Sequence, residues 1–493
     1  VTPTAETTGS ILDRRHAPVT IGSVALITLM AYQALAVTTA MPAVAEAIGG
    51  VTLYALAFGA PLATALIGMT LSGGWNDARG PSQPLIVGSG LFAAGILIAG
   101  LAPSMGVVAI GRGTQGLGTG MMIVALYVLV ARVYPRDLRP RVFGAFAAAW
   151  VLPALVGPTI SGLIAEHIGW RWVFLSVAVL IPPALLAIRP GLRALEDMPD
   201  EPPHDDDPAA CSVVADGGDA TGGGSSPERG LFTRSRAASG PPLHSAVLTQ
   251  RLGWAVVAGT AASLLHMAGQ LSVLTAAALF TAGALGVIAA APRLLPQGTF
   301  RAWAGLPSVV ALRGMAAAAF TGAEVFIPLL LVRERGLSPA LAGLILTVGA
   351  VTWSFGSWLQ GRGVLPDRRI RLRLGMALLT AGIAGTTLLV IAVVPVPVGI
   401  ATWSMAGLGM GLVYPTLSVL VLDLSTSGHQ GRNTSSMQVA DSLFSALMLA
   451  LAGTAFAALL SYSGTWPYLS GFTLAGLIAA LGIGVAGRAV PRP

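Results

Sequence analysis

Runs of about twenty apolar residues return along nearly the whole of this chain, and about that length of helix crosses a bilayer's hydrocarbon core. Roughly fourteen can be marked. The first set is Ile21–Met41, Tyr54–Leu71, Leu85–Ala102, Val107–Val130, Phe143–Ile164 and Trp172–Ile188. A pair follows at Leu252–Gly269 and Leu271–Ala291. The last set is Val309–Val332, Leu341–Leu359, Leu374–Val394, Val398–Leu422, Val439–Leu460 and Leu469–Val485. Of the 493 residues 54% are hydrophobic and 10% charged, where a soluble protein carries about a quarter charged. The expected fold class is an all-α polytopic membrane protein.

The spans group as six, two and six. Residues 1–20 read as an N-terminal tail, 21–189 as a six-helix bundle, and 190–250 as a polar, disordered linker. An extra helix pair is expected at 251–292, a second six-helix bundle at 305–488, and a short tail at 489–493. The linker holds Asp205-Asp206-Asp207 and Gly222-Gly223-Gly224 with few large apolar residues. The middle pair, about forty residues, would be ~60 Å long as helix, which is two crossings.

The two bundles carry the same signatures. Gly73-Gly74-Trp75-Asn76-Asp77-Ala78-Arg79-Gly80 returns as Gly356-Ser357-Trp358-Leu359-Gln360-Gly361-Arg362-Gly363. Gly116-Leu117-Gly118-Thr119-Gly120-Met121 returns as Gly407-Leu408-Gly409-Met410-Gly411-Leu412. Small residues let membrane helices approach closely, so the second pair reads first as a packing face. Duplicated helical halves are also how many secondary transporters build a site that faces either side of the membrane.

The charge pattern excludes other classes. Every basic side chain is Arg and no Lys occurs, so there is no P-loop lysine and no Schiff-base amine. A single Cys211 rules out an intrachain disulfide and multi-cysteine metal sites. No metal, cofactor or nucleic acid is expected, and the chain reads as no enzyme. Arg14, Arg15, Arg79, the group Arg132 to Arg141, the group Arg362 to Arg373, Arg432, Arg488 and Arg492 fall on one side if both termini lie inside. That asymmetry is the positive-inside rule and places both termini in the cytoplasm, with the first span an uncleaved helix.

Ionisable residues inside the spans carry the chemistry, since each costs at least ~2.5–3.5 kcal/mol near a helix centre. Arg112 lies in the fourth span, Glu324 in the ninth and Asp441 in the thirteenth. A carboxyl in such surroundings is a group that can load and release a proton. Glu324 reads either as a proton carrier or as half of a structural ion pair, and Asp441 as a carrier or as a partner of Arg313. Gln33, Gln115, Gln438 and Tyr414 are candidates for the polar lining of a substrate cavity. Pro158 removes a helical hydrogen bond and favours a kink, which suits either a gate or a mere bend.

These motifs resemble the Major Facilitator Superfamily, and within it the fourteen-span drug/proton antiporters. Gly73-x3-Asp77-x2-Gly80 is similar to the loop signature G-x3-D-[RK]-x-G, with Ala78 at the basic position and Arg79 beside it. Arg112-x-x-Gln115-Gly116-x-Gly118 is similar to the fourth-helix pattern R-x-x-Q-G-x-G. Gly157-Pro158-Thr159-Ile160-Ser161-Gly162 resembles the antiporter signature G-P-x-x-G-G, with Ser161 for one Gly. The resemblance implies two bundles that rock about a midplane site, and proton transfer or helix locking by Arg112. It also implies a cytoplasmic charge at Asp77 and a gate at Gly157-Pro158, where the fifth helix is expected to pack on the second half. Gln33 stands where that family often has a first-helix acid. The expected function is proton-linked export of a hydrophobic or amphipathic small molecule by a monomer in the inner membrane, with the extra pair peripheral. The alternatives are an importer or uniporter of a small metabolite, or a membrane protein that binds without transporting.

Overall fold

The computed structural model describes residues 10–13, 16–135, 138–196, 243–268, 273–425, 430–460 and 464–490. Regular structure among them is helical, with no strand. The first bundle holds α1 (Ala17–Ile48), α2 (Tyr54–Arg79), α3 (Ser82–Gly100), α4 (Met105–Val133), α5 (Arg139–Ile164) and α6 (Arg171–Glu196). Two helices follow, α7 (Leu243–Ala268) and α8 (Val273–Leu294). The second bundle holds α9 (Leu306–Glu324) with α10 (Phe326–Arg333), α11 (Pro339–Gly361), α12 (Arg368–Thr387), α13 (Val396–Asp423), α14 (Gln430–Leu459) and α15 (Trp466–Ala489).

Thirteen helices among the described residues are long and apolar enough to cross a membrane, with α9 and α10 forming one span, Leu306–Arg333. The remaining expected span corresponds to α7, whose apolar stretch among the described residues is Leu252–Leu265. The expected linker, 190–250, is narrower than composition suggested: α6 continues to Glu196 and α7 begins at Leu243. Most of the linker, with Cys211, lies outside the described residues.

Helix starts follow local chemistry. Proline stands in the first turn of α1, α5, α9, α11, α13 and α15, where its missing N–H would have had no partner anyway. Asp367 caps α12, accepting from the N–H groups of Arg369 and Ile370 at 2.7 and 3.1 Å. Gly80 and Gly363, equivalent in the repeat, both follow their helices at positive φ, 75° and 70°.

The repeated glycines explain how each bundle packs. A Cβ on Gly116 or Gly120 would lie 2.2 Å from the Pro61 carbonyl or 2.1 Å from that of Ala65, so α4 presses backbone to backbone on α2. Gly118 does the same on α3, 2.4 Å from the Gly88 carbonyl. In the second bundle Gly407 and Gly411 meet the Gly349 and Trp353 carbonyls of α11 at 2.2 Å each, and Gly409 meets the Gly375 carbonyl of α12 at 2.4 Å. The two triplets do the same work in two copies of one arrangement. Dispersion between close backbones is what holds helices together where lipid removes the hydrophobic drive.

The bundles meet along two seams, α2 with α14 and α5 with α11, while α1 touches α10 and α11. Burial within the protein orders the spans: 78% of the apolar stretch of Leu306–Arg333 is buried, against 17% for that of α8. The α9–α10 span is therefore central and α8 peripheral. The extra pair as a whole is not: α7 packs on both α2 and α14, for reasons developed below.

Candidate functional site

Three proline positions shape the interior. Pro61 of α2 has no N–H to give the Ala57 carbonyl one turn earlier. Arg112 of α4 fills that gap, its Nε donating to the Ala57 oxygen at 3.1 Å. Its Nη1 donates to Gln115 Oε1 at 2.8 Å. Arg112 is thus a buried cation held by neutral oxygens, and no ion pair reaches it among the described residues.

Pro328 does the same to the carbonyl of Glu324, and the ninth span is interrupted there, between α9 and α10. Tyr54, at the first position of α2, donates its hydroxyl to the neighbouring Val325 carbonyl at 3.2 Å. A residue of one bundle so tends the break in the other. Glu324 sits at this break, half-buried, with no ion pair among the described residues.

Pro158 marks the α5–α11 seam. A Cβ on Gly343 would meet its carbonyl at 2.6 Å, and one on Gly162 would meet Ala340 Cα at 2.5 Å. Between them the Thr159 and Thr347 hydroxyls lie 3.2 Å apart. Gly157 is different. A Cβ there would meet only Tyr32 of α1, at 3.5 Å. The expectation that Gly157 packs against the second bundle is therefore corrected: positions 158 and 162 share a helix face, and 157 is turned about 100° away from 158.

The charged cluster lies in the second bundle. Arg313 of α9 donates from Nε to both oxygens of Asp441 on α14, at 3.0 and 2.9 Å. Its Nη1 reaches the Tyr414 carbonyl and the Ser418 hydroxyl of α13, each at 3.3 Å. The guanidinium lies 3.5 Å from the Tyr414 ring centre, and the Tyr414 hydroxyl donates to Asp441 Oδ1 at 3.5 Å. Both oxygens of the carboxylate have partners, and the cation has hydrogen-bond acceptors at its edge and the Tyr414 ring on one face, which is what a buried pair requires to offset its desolvation.

A cavity of about 250 Å³ lies at the boundary of the bundles. Its walls are Ile27 and Met30 of α1, Ile123, Leu126 and Tyr127 of α4, Phe143, Phe146 and Trp150 of α5, and Gln438 of α14. Of the four polar candidates only Gln438 lines it. Gln115 is committed to Arg112, and Tyr414 to the Arg313–Asp441 pair. Gln33 is fully buried, and neither atom of its amide has a hydrogen bond. The aromatic wall escaped the sequence reading. Phe143, Phe146 and Trp150 do recur at i, i+3 and i+7, but apolar aromatics facing lipid leave the same trace.

At the loop motif, Gly73 has open space where a Cβ would stand. Asn76 is buried, bonded to the Ser72 carbonyl and hydroxyl at 2.6 and 2.8 Å. Arg79 is exposed, and the side chain of Asp77 lies outside the described residues. Cavity and loop motif share the Arg-rich end of the bundles, whereas Gly162, Ala340, Tyr54 and Val325 join the bundles toward the opposite end.

A model of the Major Facilitator Superfamily matches residues 21–448. The chain is 35% identical over 140 residues to an MFS efflux transporter, aclA, of Aspergillus oryzae, which covers 28% of this chain and 25% of that protein. It is 30% identical over 174 residues to the multidrug transporter protein MdtP of Bacillus subtilis, covering 34% of this chain and 32% of that protein. The matched stretches thus span about a quarter to a third of these relatives. The solved structure of an auto-inhibited POT family peptide transporter superposes with a TM-score of 0.63 at 17% identity, over 97% of both chains. At that identity the likeness is one of fold.

Proposed function

The chain belongs to the Major Facilitator Superfamily, and from that premise we propose that it is a secondary active transporter of the drug/proton antiporter type. It exports a hydrophobic or amphipathic small molecule by alternating access, from the cytoplasmic side of a bacterial inner membrane. The observation that carries this reading is the aromatic cavity beside a separate set of buried charges. An aromatic, largely apolar wall suits an apolar or amphipathic guest, with Gln438 to orient it. The relatives described as efflux and multidrug transporters support the direction of transport.

With the Arg-rich end in the cytoplasm, the conformation is the inward-facing one: joined at the outer end, hollow toward the inside. Glu324 is the proposed proton carrier. It sits at a helix break, beside a bond between the bundles, and no cation neutralises it among the described residues. Asp441 is held by Arg313 in this state, so its turn to exchange a proton comes only if that pair opens.

The test uses the purified protein in sealed vesicles, with ethidium as the amphipathic probe. An imposed proton gradient should drive its accumulation, and dissipating the gradient should abolish it. Glu324→Gln should fold and insert normally, lose gradient-driven accumulation, and keep exchange of dye for dye, because the amide keeps the shape but cannot titrate. Gradient-driven transport at the parental rate in this variant would remove Glu324 from the coupling role.

A further inference from the structure

The two helices outside the duplicated plan tie the duplicated halves together. Gly259 of α7 lies so close to α2 that a Cβ would meet the Ala63 carbonyl and Ile67 Cδ1 at 3.0 Å each. Nearby, Ala262 of α7 is buried together with Ala63 of α2 and Ala446 of α14. Thr454 of α14 bonds to α7 near its described end, its hydroxyl donating to the Leu265 carbonyl at 2.8 Å. On the far side α8 holds α7 in place. Gly283 and Gly286 fit against Ala261 and Leu265, and Arg293 lies over the Trp254 ring at 4.3 Å.

Helices α2 and α14 belong to different bundles, and both contacts lie where the bundles touch in this state. We propose that α7 is a latch. It rides on α2 through the Gly259–Ala63 approach, and it holds α14 through Thr454 and Ala446 only while the outer end is closed. Its strength therefore sets how readily the protein opens outward. This rests on the alternating-access reading above. The asymmetry between the two grips follows from their packing: α7 lies more extensively along α2, with backbone at close range beside Gly259, than along α14, where a hydroxyl bond and small side chains make the contact.

The experiment measures the distance between spin labels attached through Ala47→Cys of α1 and Leu341→Cys of α11, at the outer ends of opposite bundles, in a Cys211→Ser background in lipid nanodiscs. Thr454→Val keeps the shape and removes the donor. It should raise the ratio of open to closed distances about threefold, the size of one interhelical hydrogen bond in a membrane. Ala446→Leu should shift it further in the same direction, and Thr454→Ser should return the parental ratio. If the parent changes its distances with pH or ethidium while the Val and Leu variants keep the parental ratio, the latch is refuted and alternating access stands. A single distance in parent and variants under every condition overturns both.

Discussion

The two bundles are built alike and equipped differently. Gly116, Gly118 and Gly120 seat α4 on its neighbours as Gly407, Gly409 and Gly411 seat α13. The chemistry does not follow this symmetry. The first bundle supplies nearly the whole cavity wall, Ile27 through Trp150, and its buried cation among the described residues, Arg112, rests on neutral oxygens. The second bundle supplies one residue of that wall, Gln438, and holds the membrane carboxyls Glu324 and Asp441. At the position equivalent to Arg112 it has Trp403, fully buried. A duplicated scaffold thus leaves one half free to recognise a guest and the other to handle charge.

The largest expected effect tests the shared part. Gly116→Val and Gly407→Val each drive a side chain into a backbone carbonyl 2.2 Å from the Cβ position. Overpacking usually costs ~1–3 kcal/mol, and rigid backbone as the obstacle puts these at or above the upper end. Both variants should lose folded protein to a similar degree, as read by size-exclusion yield in detergent. A large loss in one bundle only would break the equivalence.

Next comes the charge-bearing half alone. Asp441→Asn strands the Arg313 cation, and breaking one side of a buried pair costs ~3–5 kcal/mol. Thermal unfolding in detergent should show that loss. The double variant Arg313→Met with Asp441→Leu should recover most of the stability. If the single variant is as stable as the parent, the pair is no structural element of the second bundle.

A smaller effect sharpens the seam between the halves. Gly162→Leu forces a side chain against Ala340 and should favour the outward-open form by roughly tenfold, read as cysteine accessibility from outside. Gly157→Ala adds a methyl at an ordinary 3.5 Å from Tyr32 and should leave accessibility as in the parent. Equal shifts in the two variants would mean that both faces of α5 bear on the seam.

The smallest effect lies outside the membrane. The backbone N–H groups of Ile370 and Arg369 hold the exposed Asp367 carboxyl below its usual value of 3.8. A depressed folded value means that the cap's contribution is complete above the usual value and fades as pH falls through the lower one. The melting-temperature difference between the parent and Asp367→Ala should therefore be constant at neutral pH and shrink only in strong acid. A difference that shrinks between pH 7 and 5 would point to another group.

The sequence announced what is periodic and hid what depends on phase or on distant partners. Apolar runs report solvent, so the helices were legible, as was the Gly triplet, whose spacing is itself the packing face. Gly157 was read together with Pro158 because they are adjacent, although adjacency on a helix means different faces. The role of α7 could not be read, since Ala63, Ala262, Ala446 and Thr454 are unremarkable until the fold brings them together. Charge partners fell between these cases. The Arg313–Asp441 pair was within reach because both residues lie near the same membrane face. The anchor of Arg112 is a carbonyl, which no side-chain pattern records.

That anchor has an evolutionary consequence. A cation paired with a carboxylate can be orphaned by one change in its partner, whereas Arg112 leans on an oxygen that every residue type at position 57 would provide. The vulnerable codon is the one for Pro61, four positions on. Any other residue there restores an N–H that competes with the arginine for the Ala57 carbonyl. The hydrogen bond is thereby independent of the side chain at position 57, and the burden of inheritance shifts to the proline one turn on.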